Sequence, residues 1–584
     1  MTARAFDDGS SGAVFAEGRD PHRWREPIRN RRIAASARRT VERALTEAGT
    51  PIVSSTFAEY RRFDDDGDRT AFQRGYFRRR RRLFAAVIGA LLSDEVPISA
   101  AEDVLWAVCD EYAWALPAHI PALTASAPAI PHDEIIDLFA AETAFALAEI
   151  VVLLGDRLHP LVAARVRHEV ERRVLTPFRE RTWFWEGIET NWAAVCAAGV
   201  GLAAMHLQTE GLAAILDRCT AAMDVFLAGY GDDGICVEGL VYWNYGFGHF
   251  AIYAEALRQR TGEDLWSGSH HDKLAAALRF AANVSLGGRA VAAFSDAEPY
   301  GVVAPGLAAL VESRDADAAV PRDFWWGAVW PYNWGPVVRQ FAWARDAEDE
   351  IPAPGMLRRW FPDAGWLVVR EDAGGSVFGF AAKAGHNQEP HNHNDLGSFV
   401  LVVDGEPLLS ELGMGFYDRD YFRLETRYAS VSAGSQGHSV PIVAGVCQRS
   451  GTDAAAVVQQ VSADEGRLVV DITSGYDVPG LREVRRSLGF ADGTLTISDR
   501  FVADEAIEII DRLVSFFRIT LVGDGAEIHG SKARLRLRWN GGWRVRVGER
   551  DFLTHDGDAA TAHMLDLVRT AASAECVVTV EIAR

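Results

Sequence analysis

Histidines and acids crowd one stretch of this sequence, His386 to Tyr417, which reads HNQEPHNHNDLGSFVLVVDGEPLLSELGMGFY. His391 and His393 stand two apart, so in extended backbone both imidazoles project from one face of a strand. The run VLVVDGEPLLSE reads as a hairpin turning at Asp404-Gly405, and its return brings Glu411 beside the histidine pair. His438, in GSQGHSV, precedes another short β run. Two imidazoles and a carboxylate from adjacent strands suit zinc with its fourth position open or filled by water. Histidines in polar, Asn-rich loops are also often only solvated or hydrogen-bonded, and spacing alone leaves both readings open.

Two further patches lie in the first half of the chain. RTWFWEGIETNWAAVC sets Asn191 and Trp192 at the head of an apolar helix, where Asn191 equally suits a plain helix N-terminal residue. GDDGICVEGLVYWNYGFGHF crowds Glu238, Tyr242, Trp243, Asn244, Tyr245 and His249 into a loop entering the next helix. Tyrosines in such a place also serve as packing residues with a wet hydroxyl.

HNHNDLGSFVLVVDGEPLLSELGMGFY resembles the H-x-H-x-D-x-G-x-F…G…L…D-x-G-x-x-Y signature of the heparinase II/III-like polysaccharide lyases. The two helical patches resemble the same family's N-W/H at a helix start and its E-G-x-x-Y-W-x-Y-G segment, and the similarity extends over most of residues 70 to 445. The resemblance implies that His393, Glu411 and His438 hold a structural zinc ion in the β domain, with glutamate at 411 where the family usually has aspartate. It implies that His391 faces substrate, that Asn191 hydrogen-bonds the substrate carboxylate, and that Tyr245 transfers the proton. Tyr428, in RLETRYASVSAGSQGHS, falls where related alginate lyases place a second functional tyrosine. Many members carry histidine beside the asparagine. Here Trp192 stands there, so the base must be Tyr245, His391 or a residue of the β domain. The segments holding Trp114 and His119, and Ser295 with Asp296, also look like ones that border the cleft.

The implied reaction is β-elimination on a uronate. Loss of the C5 proton spreads negative charge onto the carboxylate, and the oxygen at C4 then leaves, so an amide or imidazole must stabilise the developing charge. A tyrosine, with a pKa of about 10, acts as base only where positive groups favour the phenolate. Arg423, Arg427 and the run Arg78 to Arg82 are available for a locally positive cleft, although five consecutive residues on a helix cannot all point one way. Trp192 and Trp243, with Trp183 and Trp185, offer flat faces for sugar rings, and Glu238 and Tyr242 complete the expected substrate contacts. Two alternatives stay open: a glycoside hydrolase on an α/α toroid, using carboxylates such as Glu186, Glu189, Asp232, Asp233 and Glu238, and a non-catalytic glycan-binding protein.

Such residues need a scaffold of two kinds. From about 35 to 345 Ala-rich amphipathic segments follow one another with short polar breaks and no strand-like alternation, which predicts an (α/α) toroid or a helical solenoid, and the family resemblance implies the toroid. From Gly365 the period changes to two, as in GWLVVRED and REVRRSLGFADGTLTISDRF, which predicts a large antiparallel β-sandwich. The expected division is a toroid over 1–345, a linker over 346–362 with charges and two prolines, and the sandwich over 363–584.

At 584 residues the chain should divide into two or three domains. A net charge of −21 argues against nucleic acid or an anionic membrane as partner but allows an acidic glycan in a locally basic cleft, and a homodimer is left open. No apolar leader opens the sequence, and the six cysteines show no C-x-x-C spacing, which points to buried free thiols and a cytoplasmic setting. That setting favours imported oligosaccharides as substrate.

Overall fold

The computed structural model describes residues 14–120, 130–325, 330–350 and 355–583. Two helices form the heart of the first half, Leu138–Leu154 and Asn191–Leu207. Both are apolar almost all round, the pattern of a helix covered on every side. The second packs on the first and also on Leu212–Ala228 and Gly248–Thr261. A Cβ at Gly199 would lie 2.6 Å from the Ala141 backbone, so only a residue without a side chain lets these two helices approach so closely. Leu138–Arg157 is long and apolar enough to cross a membrane by composition, yet 83% of its apolar window is buried inside the protein. The helix Thr70–Leu92 packs against this pair and Arg31–Glu47 packs on it in turn, and the whole is an (α/α) toroid.

One correction concerns this half. A two-stranded hairpin, Ser285–Gly287 with Ala290–Val291, interrupts the helices that were expected to run unbroken. It seats the toroid on the β half: a Cβ at Gly379 would meet the Leu286 carbonyl oxygen at 2.2 Å. The join is also shorter than expected, because the strand Leu357–Phe361 lies inside the segment 346–362 read as a linker. Residues 351–354 of that segment lie outside the described residues.

The β half consists of two large antiparallel sheets and a two-stranded one, His386–Asn387 with Gly451–Ala455. Five strands form the first, in the order Leu357–Phe361, Trp366–Ala373, Ser376–Lys383, Phe399–Val403, Glu406–Leu409. Alternate residues explain why it lies between the other layers. Trp366, Val368, Ala381, Val400 and Val402 pack into the helical core, while Leu367, Val369, Phe380, Leu401 and Val403 pack against the second sheet. That second sheet has ten strands, centred on Leu481–Ala491, Thr494–Ser515 and Ala559–Ile582. The last two pair from Leu495 opposite Val580 to Ser515 opposite His563. Burial on both faces is why strands of the five-stranded sheet, such as FVLVV, read as continuous apolar runs rather than alternating ones.

Candidate active site

A cleft of about 660 Å³ opens where the toroid meets the sandwich. Asn191, Trp192, His119, Tyr242 and Tyr245 reach it from the helical half, and His391, Arg427 and Tyr428 from the β half. Asn191 is the first residue of its helix, but its buried side chain turns into the cleft and donates from Nδ2 to Glu238 Oε2 at 3.1 Å. Glu238 is held by the following Gly239, where φ is 93° and a Cβ would strike Ala297 at 2.4 Å. Burial pushes the Glu238 carboxyl up against the opposing pull of His391, whose Nε2 lies 3.6 Å away.

Tyr245 sits in a five-residue π-helical turn, Trp243–Phe247, at the entry to Gly248–Thr261. Such a turn inserts an extra residue and re-aims the side chains around it. A Cβ at Gly246 would meet Asn191 Cβ at 3.1 Å, so the turn packs directly on the head of the Asn191 helix. The Tyr245 hydroxyl makes no well-formed hydrogen bond, and its ring stands edge-on to Trp330 at 4.9 Å. Burial and the adjacent Glu142 carboxylate both raise the phenol's pKa well above its ordinary value. Among the described residues no cation favours the phenolate as expected; the neighbour is an acid. Burial pushes Glu142 itself up to about 8.

His391 and His393 do not lie on one strand. The ordered strands end at Asn387 and resume at Phe399, and His391 adopts a left-handed φ of 55° in the loop between, a conformation that side-chain-bearing residues hold only at some cost. What unites the two imidazoles is a carboxylate from the other half. Asp296 takes His391 Nδ1 at 2.8 Å and Tyr417 Oη at 2.7 Å on one oxygen, and His393 Nε2 at 2.9 Å and Tyr421 Oη at 2.5 Å on the other. Arg427 Nη2 lies 3.2 Å from the first oxygen. Burial alone would raise this carboxyl, but Arg427 and the two histidines hold it well below the usual carboxylate range. The His391 ring stacks on Tyr242 at 4.1 Å, and Tyr242 Oη meets Tyr417 Oη at 2.7 Å.

Behind His391 lies the predicted ligand set. The hairpin turns at Asp404-Gly405, both with positive φ, and returns Glu411 just past the strand Glu406–Leu409. Ligand atoms of His393, Glu411 and His438 all fall within 4.8 Å of one another, and the three residues are buried. His393 Nδ1 has no hydrogen-bond partner, while its Nε2 meets Asp296; His438 Nε2 meets the Ser432 carbonyl at 2.9 Å and Nδ1 contacts Glu411. Each imidazole thus has its far nitrogen anchored by an acceptor and its near nitrogen turned to a shared point, the arrangement of metal-ligating histidines.

Several expected contacts fall elsewhere. Trp243 is fully buried, donates to the Ala277 carbonyl at 3.0 Å and stacks on Phe247, so it is core. Trp183 and Trp185 are buried as well, and among the described residues Trp192 and Trp330 are the tryptophans that line the cleft. Arg423 is exposed and near only Asp420, outside the cleft lining. Arg427 grips Asp296, the Asn392 carbonyl and the Tyr421 ring, so it braces the site more than it offers a free charge. In the arginine run, Arg79 and Arg80 turn inward to Glu111 and Arg82 binds the carbonyls of Thr50 and Pro51. Tyr428 reaches the cleft and donates to Asn392 Oδ1 at 3.0 Å. Of the hydrolase carboxylates, Glu186 is bound by Arg218, and Asp233 accepts the backbone N–H groups of Asp363 and Ala364.

Residues 353–580 match the family described as Heparinase II/III-like, C-terminal. The β half is therefore similar to the C-terminal domain of the heparinase II/III-like proteins. This domain match runs well beyond residue 445, where the motif resemblance stops. Over the whole chain the structure is similar to heparinase III, with a TM-score of 0.64 and 12% identity, covering 94% of this chain and 89% of that one. It is also similar to heparan sulfate lyase HepC from Pedobacter heparinus (TM-score 0.56, 14% identity, 96% and 84% covered). A third similar structure is the Streptomyces coelicolor A3 chondroitin AC lyase in complex with chondroitin sulphate (TM-score 0.57, 13% identity, 97% and 82% covered). At these identities the likeness establishes the shared fold, a toroid with the heparinase II/III-like domain docked on it. No curated protein sequence matches the chain.

Proposed function

We propose that the protein is a polysaccharide or oligosaccharide lyase that cleaves uronate-containing glycans by β-elimination. The observation that carries this reading is the convergence of Asn191, Tyr245 and His391 on one cleft at the seam between the halves. Asn191 and His391 supply the polar N–H groups that a carboxylate gathering charge at C5 requires. Tyr245, unpaired and aimed at the cleft, exchanges the proton. In the resting protein it is a phenol, so it takes the C5 proton as Glu142 takes up the phenolic one. The leaving oxygen at C4 is then protonated by the phenol, and Glu142 returns its proton to the resulting phenolate. Chain similarity to lyases of heparan sulfate and chondroitin supports an acidic glycan as substrate.

His393, Glu411 and His438 fit a zinc ion by their donor types, their spacing and the orphaned His393 Nδ1. When bound, the metal supplies structural rigidity to the loop that carries His391. Asp296, which holds both histidines, passes that rigidity to the cleft.

The test is a screen of the purified protein against alginate, heparan, hyaluronan, chondroitin and ulvan fragments by ultraviolet absorbance. Elimination on an intact chain creates a conjugated unsaturated uronate; new reducing ends without absorbance would instead mean hydrolysis and sink the proposal.

A further inference from the structure

Arg69 is the cation in the cleft that has no acid to answer it. It lies just before the helix Thr70–Leu92 and lines the same cleft as Asn191 and His391. Its neighbours are neutral. Nη2 lies 3.1 Å from His119 Nε2, and Gln73, with its amide oxygen turned toward the guanidinium, accepts from Nε at 3.1 Å. The His119 tautomer follows from its other side. Asp137 takes His119 Nδ1 at 2.8 Å and spends its remaining capacity on the backbone N–H groups of Leu116 and Ala140. Nδ1 therefore carries the proton and Nε2 offers its lone pair to Arg69. Burial lowers the pKa of His119, so the ring beside Arg69 is a neutral acceptor rather than a counter-ion. The guanidinium also rests over Phe422 at 5.2 Å and Tyr417 at 6.0 Å, both from the β half. Among the described residues no carboxylate pairs with Arg69, and burial weakens its hold on its proton. A half-buried guanidinium left without an anion gains strongly from receiving one.

The position says which anion. His119, which Arg69 contacts, packs on Trp192 at 5.0 Å, the neighbour of Asn191. On the other side Tyr417 stands between Arg69 and the Asp296–His391 pair. Arg69 is thus one aromatic ring removed from the groups that grip the reacting carboxylate, a spacing that suits an adjoining sugar.

We propose that Arg69 is the receptor for a second oxyanion of the substrate, carried by the sugar next to the one that undergoes elimination. This rests on the lyase reading for the identity of the reacting sugar, but not for the charge selectivity itself. A carboxylate and a sulfate ester share the chemistry the guanidinium recognises.

The experiment uses the full chain and three trisaccharides: one built wholly of uronates, one with the neighbouring carboxyl reduced to the alcohol, and one with a sulfate ester in its place. Arg69→Gln raises KM about 10-fold to 100-fold on the fully charged sugar, the range of a hydrogen bond to a charged group, with kcat nearly unchanged. On the reduced sugar, wild type and Arg69→Gln bind alike. Restored discrimination with the sulfate ester shows that either oxyanion serves; discrimination confined to the uronate assigns the carboxylate. Arg69→Lys, which keeps the charge and loses the fork, falls between. Equal losses on charged and reduced sugars, or no loss on any, overturn the proposal. The same comparison by calorimetry needs no turnover, so charge-selective binding without ultraviolet product rejects the lyase reading and leaves the anion receptor standing.

Discussion

Replacing Glu142 by glutamine tests the proton-sharing pair with Tyr245. Glu142 lies in the apolar helix Leu138–Leu154, with Asn333 Nδ2 at 3.3 Å and His249 Nε2 at 3.6 Å. Burial lowers His249 to about 4, so it is neutral at working pH and does not act as a counter-ion. Burial therefore dominates and raises the Glu142 carboxyl from 4.5 to about 8. A carboxyl with a raised pKa binds a proton in the folded state that the unfolded chain has already released. The protein consequently loses stability as pH climbs from 4.5 to about 8, and the loss stops above that. At about 1.4 kcal/mol per pH unit the full effect is on the order of 5 kcal/mol, an upper bound because a buried site relaxes when it ionises. Glu142→Gln has nothing to ionise there. Denaturant unfolding of the two proteins at pH 5, 6, 7 and 8 should therefore show curves that diverge in favour of Glu142→Gln as pH rises. Activity carries the same signature: if Glu142 must be anionic to take the Tyr245 proton, kcat/KM of the wild type rises through pH 8 and Glu142→Gln lacks that limb. Stability curves that run parallel across this range would show that the carboxyl does not titrate between pH 5 and 8, and would refute the burial-raised pKa from which both pH profiles are derived.

Tyr245→Phe should reduce kcat by about 10²-fold to 10⁴-fold, the worth of a general acid–base group, with oligosaccharide binding by calorimetry retained; undiminished turnover would reassign the proton transfer. Metal-stripped protein titrated with zinc to 100 times its dissociation constant should gain about 2.7 kcal/mol of stability, and His393→Ala should abolish the gain. Asp296→Asn should weaken zinc binding about 10-fold to 100-fold through His393 and also lower turnover through His391; an unchanged zinc affinity would uncouple the two sites.

Part of this was legible in the residues. Asp404-Gly405 is a strong hairpin signal that fixes where Glu411 returns, while the clustering of His393, Glu411 and His438 came through the family resemblance rather than from spacing. The same reading missed the local backbone: a left-handed His391 is imposed by its contacts with Asp296 and Tyr242, which sequence spacing does not carry. Trp243 shows the limit of composition, since a polar-aromatic patch looked like a sugar platform but its π-helical turn sends that indole into the core. In the arginine run, helical periodicity turns Arg79 and Arg80 toward Glu111, an acid more than thirty residues away in sequence. Glu142 did leave a signal, as one of two charges, with Glu149, inside a helix otherwise almost wholly apolar. Arg69 left none, because its importance lies in the partner it lacks.

Asp296 explains why site and fold cannot be separated here. It follows the hairpin Ser285–Gly287 and Ala290–Val291, the element that seats the toroid on the five-stranded sheet. Yet every side chain bonded to its carboxylate (His391, His393, Tyr417, Tyr421 and Arg427) belongs to the β half. A fully buried carboxylate deprived of such partners costs several kcal/mol, so the two halves dock with this group engaged or dock poorly. The contact that closes the seam is therefore the one that fixes His391 at the cleft and turns His393 toward Glu411 and His438. A glycan bound across the seam would bear on both halves at once, which makes the docked arrangement, rather than either half alone, the unit able to grip an acidic sugar.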